Sequence, residues 1–427
     1  MKVAFYGDDF TGSSDALAQY FRWGLRGRLF FAVPSAQQIA ATDDDVIGVA
    51  GIARSLPTPK MDAELLPFLR SPLREARVVQ YKVCSTFDSS PTIGSIGHAA
   101  ELARREGFAP PFPVLPAQPH FGRYTLFANH FADYGDGVER LDRHPTMANH
   151  PSTPMHEADL RRILAAQGVT RTASLDVLRL RAPEAATHLR ALFAQEPEAI
   201  VCDALVDDDL RKLGALILQA WPQRVFAIGS GGFSYAIGSA LGRSAHAEQP
   251  LDGVERVFVV SGSMAPQTAE QIAWALENGW SELRVDPHAI DLSAAALDAL
   301  AQRAIAVHRT SRRGAIVYSA RGPHKGEPVD PATLGALLGG VLLRAFRSGD
   351  VERAIVCGGD TSSYAARALG ARSLSIARIL VVAGAICRLD ADDPAIDGKL
   401  VMLKGGQVGD RLLFETVRLG TAKVATV

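Results

Sequence analysis

The chain is predicted to fold as α/β, in two three-layer α/β/α domains with mainly parallel sheets. Three observations lead there. Short apolar, β-branched runs alternate with Ala- and Leu-rich amphipathic stretches along the whole sequence. The runs are apolar at nearly every position, as in strands buried on both faces, not alternating as in strands with one wet face. Several runs also end in a turn of glycine, hydroxyl and acidic residues that opens directly into a helical stretch, the junction expected of parallel sheets.

Taken in order, strands are expected at 3–6, 46–50, 78–83, 124–128, 199–202, 225–228, 256–260, 315–318, 354–356 and 379–382. Helices are expected at 15–23, 63–73, 93–106, 157–166, 185–193, 207–220, 265–277, 294–312, 331–348 and 363–369, each with apolar residues at helical spacing. The Pro-rich stretch 108–119 interrupts this alternation. Residues 134–155 have little apolar periodicity and carry Arg143, His144, Asn149 and His150. A loop that long in a compact domain is usually functional or disordered. The polar, turn-rich segment 242–253 divides the chain into domains 1–247 and 248–427.

Composition narrows the class. A chain of 427 residues suits two domains. Hydrophobic residues at 47% and charged residues at 21% supply a core and argue against disorder. A net charge of −1 removes any bulk pull toward nucleic acid or an anionic membrane, so an anionic ligand must be met by local Lys and Arg. Cys84, Cys202, Cys357 and Cys387 lie far apart, which argues against a disulfide framework or a zinc site. MKVAFYGDDF reads as a first strand, not a signal peptide. The longest apolar run, 379–387, is about half of a membrane span. The expected location is cytoplasmic.

Six strand-end turns are candidate sites, because ligands of parallel sheets sit beyond the carboxyl ends of strands. Gly7-Asp8-Asp9-Phe10-Thr11-Gly12 places two carboxylates where they can orient hydroxyl groups, or simply cap a helix. Lys82-Val83-Cys84-Ser85-Thr86 offers a cation and hydroxyls to a polyol. Gly229-Ser230-Gly231-Gly232 is a Gly-rich turn without the ending of a Walker motif. Ser261-Gly262-Ser263 leaves room for phosphate or ribose before a helix that has Pro266 in its first turn. Gly358-Gly359-Asp360-Thr361 brings backbone N–H groups to a helix start, which suits an anion. There Asp360 can orient Mg²⁺, accept a proton, or act as the cap. Lys404-Gly405-Gly406 can complete a nucleotide pocket or be an ordinary hairpin. The His-rich stretch 142–150 has no standard metal spacing, and no residue is assigned as a metal ligand.

In this order, the Asp-Asp-Phe-Thr-Gly turn, the Lys-x-x-Ser-Thr turn, the Ser-Gly-Ser…Thr…Gln segment, the Gly-Gly-Asp-Thr turn and the Leu-Lys-x-Gly turn resemble the four-carbon acid sugar kinases over nearly the whole chain. The resemblance implies an N-terminal sugar-acid-binding domain, a C-terminal nucleotide-binding domain and an active-site cleft between them. It implies transfer of the γ-phosphoryl of ATP, with Mg²⁺, to a hydroxyl of a small acid sugar. Asp8, Asp9, Lys82, Ser85 and Thr86 match the substrate side, together with Arg54, where the family often has a basic residue. Ser261, Ser263, Gly358, Gly359, Asp360, Thr361 and Gly405 match the nucleotide side. Asp360 is expected at the metal or the nucleophile, and Asp9 is expected to orient the substrate or act as base. The expected partner is the acid sugar, with neither nucleic acid nor membrane; a homodimer is allowed.

One departure stands out. Tetronate kinases usually continue Ser-Thr with Leu-Arg-Gly-Asn, whereas this chain reads Phe87-Asp88-Ser89-Ser90. A carboxylate-facing cation is missing and an acid stands near its place, so a substrate carboxylate would be repelled there. Arg143 is the candidate replacement. The variant resembles the subgroup linked to RuBisCO-like proteins, whose implied substrate is a branched acid sugar such as 3-oxo-isoapionate. A tetronate kinase acting on threonate, erythronate or 3-oxo-tetronate is the alternative. A sensor that binds without transfer is another, and a nicotinamide-dependent dehydrogenase lacks a GxGxxG after the first strand.

Overall fold

A computed structural model describes residues 1–421, except 136, 151, 222, 243–249 and 323–328, with only the backbone of Asp360. The chain divides into two compact units, Met1–His246 and Ala247–Val427. In the first, strands β1 (Val3–Gly7), β2 (Gly27–Phe30), β3 (Val46–Ala50), β4 (Val78–Lys82) and β5 (Phe112–Leu115) precede a small antiparallel sheet. That sheet comprises β6 (Arg123–Leu126), β7 (Asn129–Asp133) and β8 (Val138–Arg140). Strands β9 (Thr172–Leu175), β10 (Ala199–Cys202) and β11 (Val225–Gly229) complete the unit. The main sheet runs β2-β3-β1-β4-β11-β5-β10-β9, and every neighbouring pair is parallel.

Alternation along β1 shows why both faces are covered. Phe5 stacks on Tyr20 of the helix Phe10–Arg22, while Tyr6, pointing the other way, meets Phe68 of the helix Thr58–Arg70. Apolar residues at every strand position are therefore buried on one side or the other.

The second unit carries β12 (Val257–Ser261), β13 (Ser281–Arg284), β14 (Gly314–Tyr318), β15 (Arg353–Cys357), β16 (Ser373–Val381), β17 (Gly384–Asp390) and β18 (Leu400–Lys404). Their order is β13-β14-β12-β15-β18-β17-β16. The first five are parallel, whereas β17 runs antiparallel to both β18 and β16. Val257 and Val259 share a core with Ile272 of the helix Pro266–Glu277 and with Phe414. On the opposite face Phe258 packs edge-on against His308 of the helix Ala294–Thr310. The protein is thus α/β with mainly parallel sheets. Among the described residues no helix is long and apolar enough to cross a membrane.

Several elements differ from the sequence expectation. Residues 124–128 are not one strand: β6 ends at Leu126, and a turn with positive φ at Phe127 and Ala128 leads into β7. The Asp203 carboxylate holds that turn by accepting N–H bonds from both residues. β5 forms within the Pro-rich stretch and includes Pro113. The expected strand 379–382 is the end of β16, in a hairpin with β17.

Close helix packing generates a test. The helix Asp207–Ala220 crosses the helix Gly231–Leu241 at Gly214, where a Cβ would overlap the Ala236 carbonyl. Gly214→Ala should lower stability by about 1–3 kcal/mol, seen as a lower urea midpoint with an unchanged slope.

Candidate active site

β1, β3 and β4 end side by side, and the turns that follow them are tied together. The Asp8 N–H donates to the Lys82 carbonyl at 2.9 Å, and the Arg54 N–H donates to the Asp8 carbonyl at 3.2 Å. Asp9 is extended and caps the helix Phe10–Arg22, accepting from the Gly12 N–H at 2.6 Å. Its carboxylate thereby fills an orphan N–H of the first turn.

Arg54, in the 3₁₀ turn Ala53–Ser55, joins these acids. Its Nη2 and Nε donate to the two oxygens of Asp8 at 2.8 and 3.2 Å, and its Nη1 lies 2.6 Å from Asp9 Oδ2. Burial pushes the Asp8 carboxyl up from its ordinary value; Arg54 offsets part of that rise, Asp9 adds to it, and Lys82 opposes it. The fork geometry, with both Asp8 oxygens receiving N–H groups, is that of an ion pair. Asp8 is sealed at 5% side-chain exposure, whereas Asp9 keeps 22% and is the carboxylate a ligand can reach. Lys82 is buried beside them: a Cβ on Gly12 would lie 2.5 Å from its Nζ. The sequence-predicted residues Asp8, Asp9, Arg54 and Lys82 therefore form one cluster.

Ser85 and Thr86 lie in the next turn, both nearly buried. The Thr86 hydroxyl donates to Asp88 Oδ1 at 2.6 Å. Burial alone would raise Asp88, but Arg54, the Thr86 hydroxyl and His150 together hold it below the usual carboxylate range. Asp88 is therefore an anion with partners of its own in this turn. Ser85 is held by a residue that sequence reasoning passed over. His130 of β7 places Nε2 2.6 Å from the Ser85 carbonyl, so Nε2 carries the proton, and Nδ1 accepts from the Thr125 hydroxyl at 3.0 Å. Burial lowers His130 to about 4, keeping it neutral. A lone histidine in an unpredicted hairpin gave no signal.

The His-rich stretch builds its own turns. His144 Nδ1 caps the helix Pro145–Ala148, and His150 Nδ1 accepts from the Thr153 N–H at 3.1 Å. Arg143 is exposed, and no side-chain contact joins it to the Arg54 cluster among the described residues. Among those residues, no three His, Cys, Asp or Glu side chains are arranged to hold a metal ion.

In the second unit, the ends of β12 and β15 open onto a pocket of about 1040 Å³. Ser263, Gly358, Gly359 and Thr361 line it, with Gly262 and Gly406. Ser261 is buried below. Gly405 adjoins the wall, which Gly406 supplies. The Asp360 side chain lies outside the described residues; its backbone belongs to the helix Gly359–Ala368. Gly358 (φ +115°) precedes that helix without a capping side chain and donates its own N–H to the Lys404 carbonyl at 2.9 Å, so among the described residues no side chain takes the N–H groups of Gly359 to Thr361. Gly262 must be glycine because a Cβ would overlap the Thr361 hydroxyl.

The helix Pro266–Glu277 fixes the late Gly-rich turn. Gln271 Nε2 reaches the carbonyls of Val408, Gly409 and Asp410 at 3.0–3.1 Å, and Gln267 also donates to Gly409. Beneath, the buried Lys404 Nζ donates to the Thr268 hydroxyl at 2.9 Å, and that hydroxyl donates to the Gly406 carbonyl at 2.8 Å. Sequence reasoning placed Lys404 in a candidate turn but did not join it to Thr268 or to Gln271, since these contacts span about 136–139 residues.

Removing Arg54 exposes the cost of the diacid turn. Arg54→Gln should lower stability by about 3 kcal/mol at neutral pH. The folded Asp8, already raised by burial, would then rise further above its unfolded value. Such a group stabilises the fold while protonated, and that contribution is lost as pH rises through the folded pKa. The gap to the parent should widen from pH 5 to pH 8 in denaturant titrations; a constant gap would contradict it.

Comparison with known proteins agrees with this division of labour. Residues 3–237 match the sugar-binding N-terminal domain model and residues 258–414 the nucleotide-binding C-terminal domain model. A 3-oxo-isoapionate kinase from Paraburkholderia graminis is 37% identical over 98% of this chain and 94% of its own. A 3-oxo-tetronate kinase from Pseudomonas savastanoi pv. phaseolicola is 30% identical over 86% of each. A solved structure from Salmonella typhimurium LT2 shares the fold, with 24% identity, a TM-score of 0.79 and coverage of 97% of this chain and 98% of that one. With both domain models matched in order along the chain, the protein belongs to the four-carbon acid sugar kinase family.

Proposed function

We propose that the protein transfers the γ-phosphoryl of ATP to a hydroxyl of a branched acid sugar, 3-oxo-isoapionate. The observation that carries this reading is the Asp8–Arg54–Asp9 cluster with Lys82 at a strand end of the sugar-binding unit. Carboxylates held in place by a guanidinium are suited to orient sugar hydroxyls. The 37% identity to a 3-oxo-isoapionate kinase supports the substrate, as does Asp88 where tetronate kinases usually have a different residue.

In this reading the acid sugar is bound by Asp9, Lys82, Ser85 and Thr86, with Asp8 and Arg54 setting their geometry. ATP phosphates take the N–H groups at Gly359–Thr361, with Gly358, Ser261, Ser263 and Gly405 shaping the pocket. Mg²⁺ travels on those phosphates as part of the MgATP substrate. Phosphoryl transfer is mainly a matter of positioning and charge stabilisation. Asp9 orients the acceptor hydroxyl and is able to take its proton; Asp360 serves the metal-bound phosphates or the nucleophile. The protein acts in the cytoplasm.

A second reading, 3-oxo-tetronate phosphorylation, is favoured by relatives of that name at about 30% identity. A binding-only sensor has no use for the second anion site. ADP release from ATP should be measured with 3-oxo-isoapionate, 3-oxo-tetronates, threonate and erythronate. The branched acid should give the highest kcat/KM, and Asp360→Asn should lower kcat by about 100-fold or more. Preference for a plain tetronate would overturn the substrate, and absence of ADP with every acid would overturn the kinase.

A further inference from the structure

The cations expected to meet the substrate are already partly occupied. Arg54 spends its fork on Asp8 and its remaining terminal nitrogen on Asp9. Around it stand three acids, Asp8, Asp9 and Asp88, against two cations, Arg54 and Lys82. A ligand carboxylate would add a further negative charge. Arg143, the replacement expected from sequence, is exposed on its loop.

The small sheet that holds the Ser85 turn carries another guanidinium. On β6, Thr125 faces His130 of β7, and His130 reaches the Ser85 carbonyl. Arg123 lies two residues before Thr125 on the same strand, so its side chain leaves the same face. Its Nη1 donates to the carbonyls of Phe121 and Gly122, both at 3.1 Å, and its guanidinium sits 5.2 Å from the Phe121 ring centre. Nε is sealed without a partner, and no carboxylate pairs with the side chain among the described residues. Burial pushes Arg123 down, and Cys84, next to Ser85, and the more distant Asp133 carboxylate act the other way. Cys84 in turn senses Asp88, Arg54, Asp9 and Lys82. A half-buried guanidinium anchored at one end and unpaired at the other is costly unless an anion meets it.

We propose that Arg123 is the specificity-determining cation that receives the substrate's carboxylate, through Nη2, the end that no hydrogen bond engages among the described residues. Asp88 then needs no displacement: it stays with Thr86 and Arg54 while the carboxylate is taken from the hairpin side. The assignment rests on the acid-sugar reading of the first unit.

The test compares the acid with its neutral primary amide, using the full chain and its Arg123→Gln, Arg123→Lys and His130→Gln variants. Binding is measured by calorimetry without nucleotide, and KM by ADP release. Arg123→Gln should raise the acid KM by about 30-fold, the cost of one charge-assisted hydrogen bond. The ATP KM should stay within about twofold, and the acid-over-amide preference should fall to near one. Arg123→Lys should restore part of that preference as a point charge. His130→Gln loosens the same hairpin yet keeps the guanidinium, so it should weaken both ligands while preserving their ratio. If Arg123→Gln retains the parent's acid-to-amide ratio, the assignment is wrong even though the kinase reading stands. If the parent protein binds and phosphorylates no acid at all, the acid-sugar reading falls and this assignment with it.

Discussion

Two adjacent carboxylates at the end of a buried strand repel each other and lose hydration, so they persist only where a cation meets both. Arg54 meets that need with one planar group, gripping Asp8 side-on and Asp9 at its remaining nitrogen. A lysine, with a single point charge, would not satisfy this geometry. The rest of the first site follows from the arrangement. Asp8 becomes a fixed strut, Asp9 is freed to cap a helix and keep an open edge, and Lys82 fits over a glycine.

The second unit is built differently. Its pocket, which Arg284 and Arg321 also line, has at its edge a helix start whose preceding residue, Gly358, carries no capping side chain. Close approach of backbone is what the glycines permit: Gly262 gives way to the Thr361 hydroxyl, and Gly358 takes a φ that side-chain-bearing residues avoid. Its buried ammonium, Lys404, acts one layer down on Thr268 and so on the Gly406 turn. Fixed dipoles suit a phosphate chain, whereas a small sugar acid needs side chains that read individual hydroxyls.

The α/β class was legible because buried parallel strands are apolar at every position, and the strand-end turns were legible because their residues are polar at a fixed place in that pattern. Elements that escaped did so for physical reasons. Pro113 disguised β5, since a missing N–H normally excludes a paired strand. β13, with its half-buried and exposed residues, pairs on one side only and lacks an apolar signature. The hairpin of β6 and β7 turns at Phe127 and Ala128, whose positive φ values are imposed by Asp203 some 75 residues later. Arg123 and His130 were invisible for the same reason. Asp8, Asp9 and Lys82 could be named from local pattern, but their grouping around Arg54 depends on three strands ending in register.

The Gln271 clamp has a consequence for how the protein is made. The helix that carries Gln271 leaves the ribosome long before the turn it grips, and the wall supplied by Gly406 is absent until then. A nascent chain can thus complete the Asp8–Arg54–Asp9 cluster while the pocket of the second unit still lacks one of its walls.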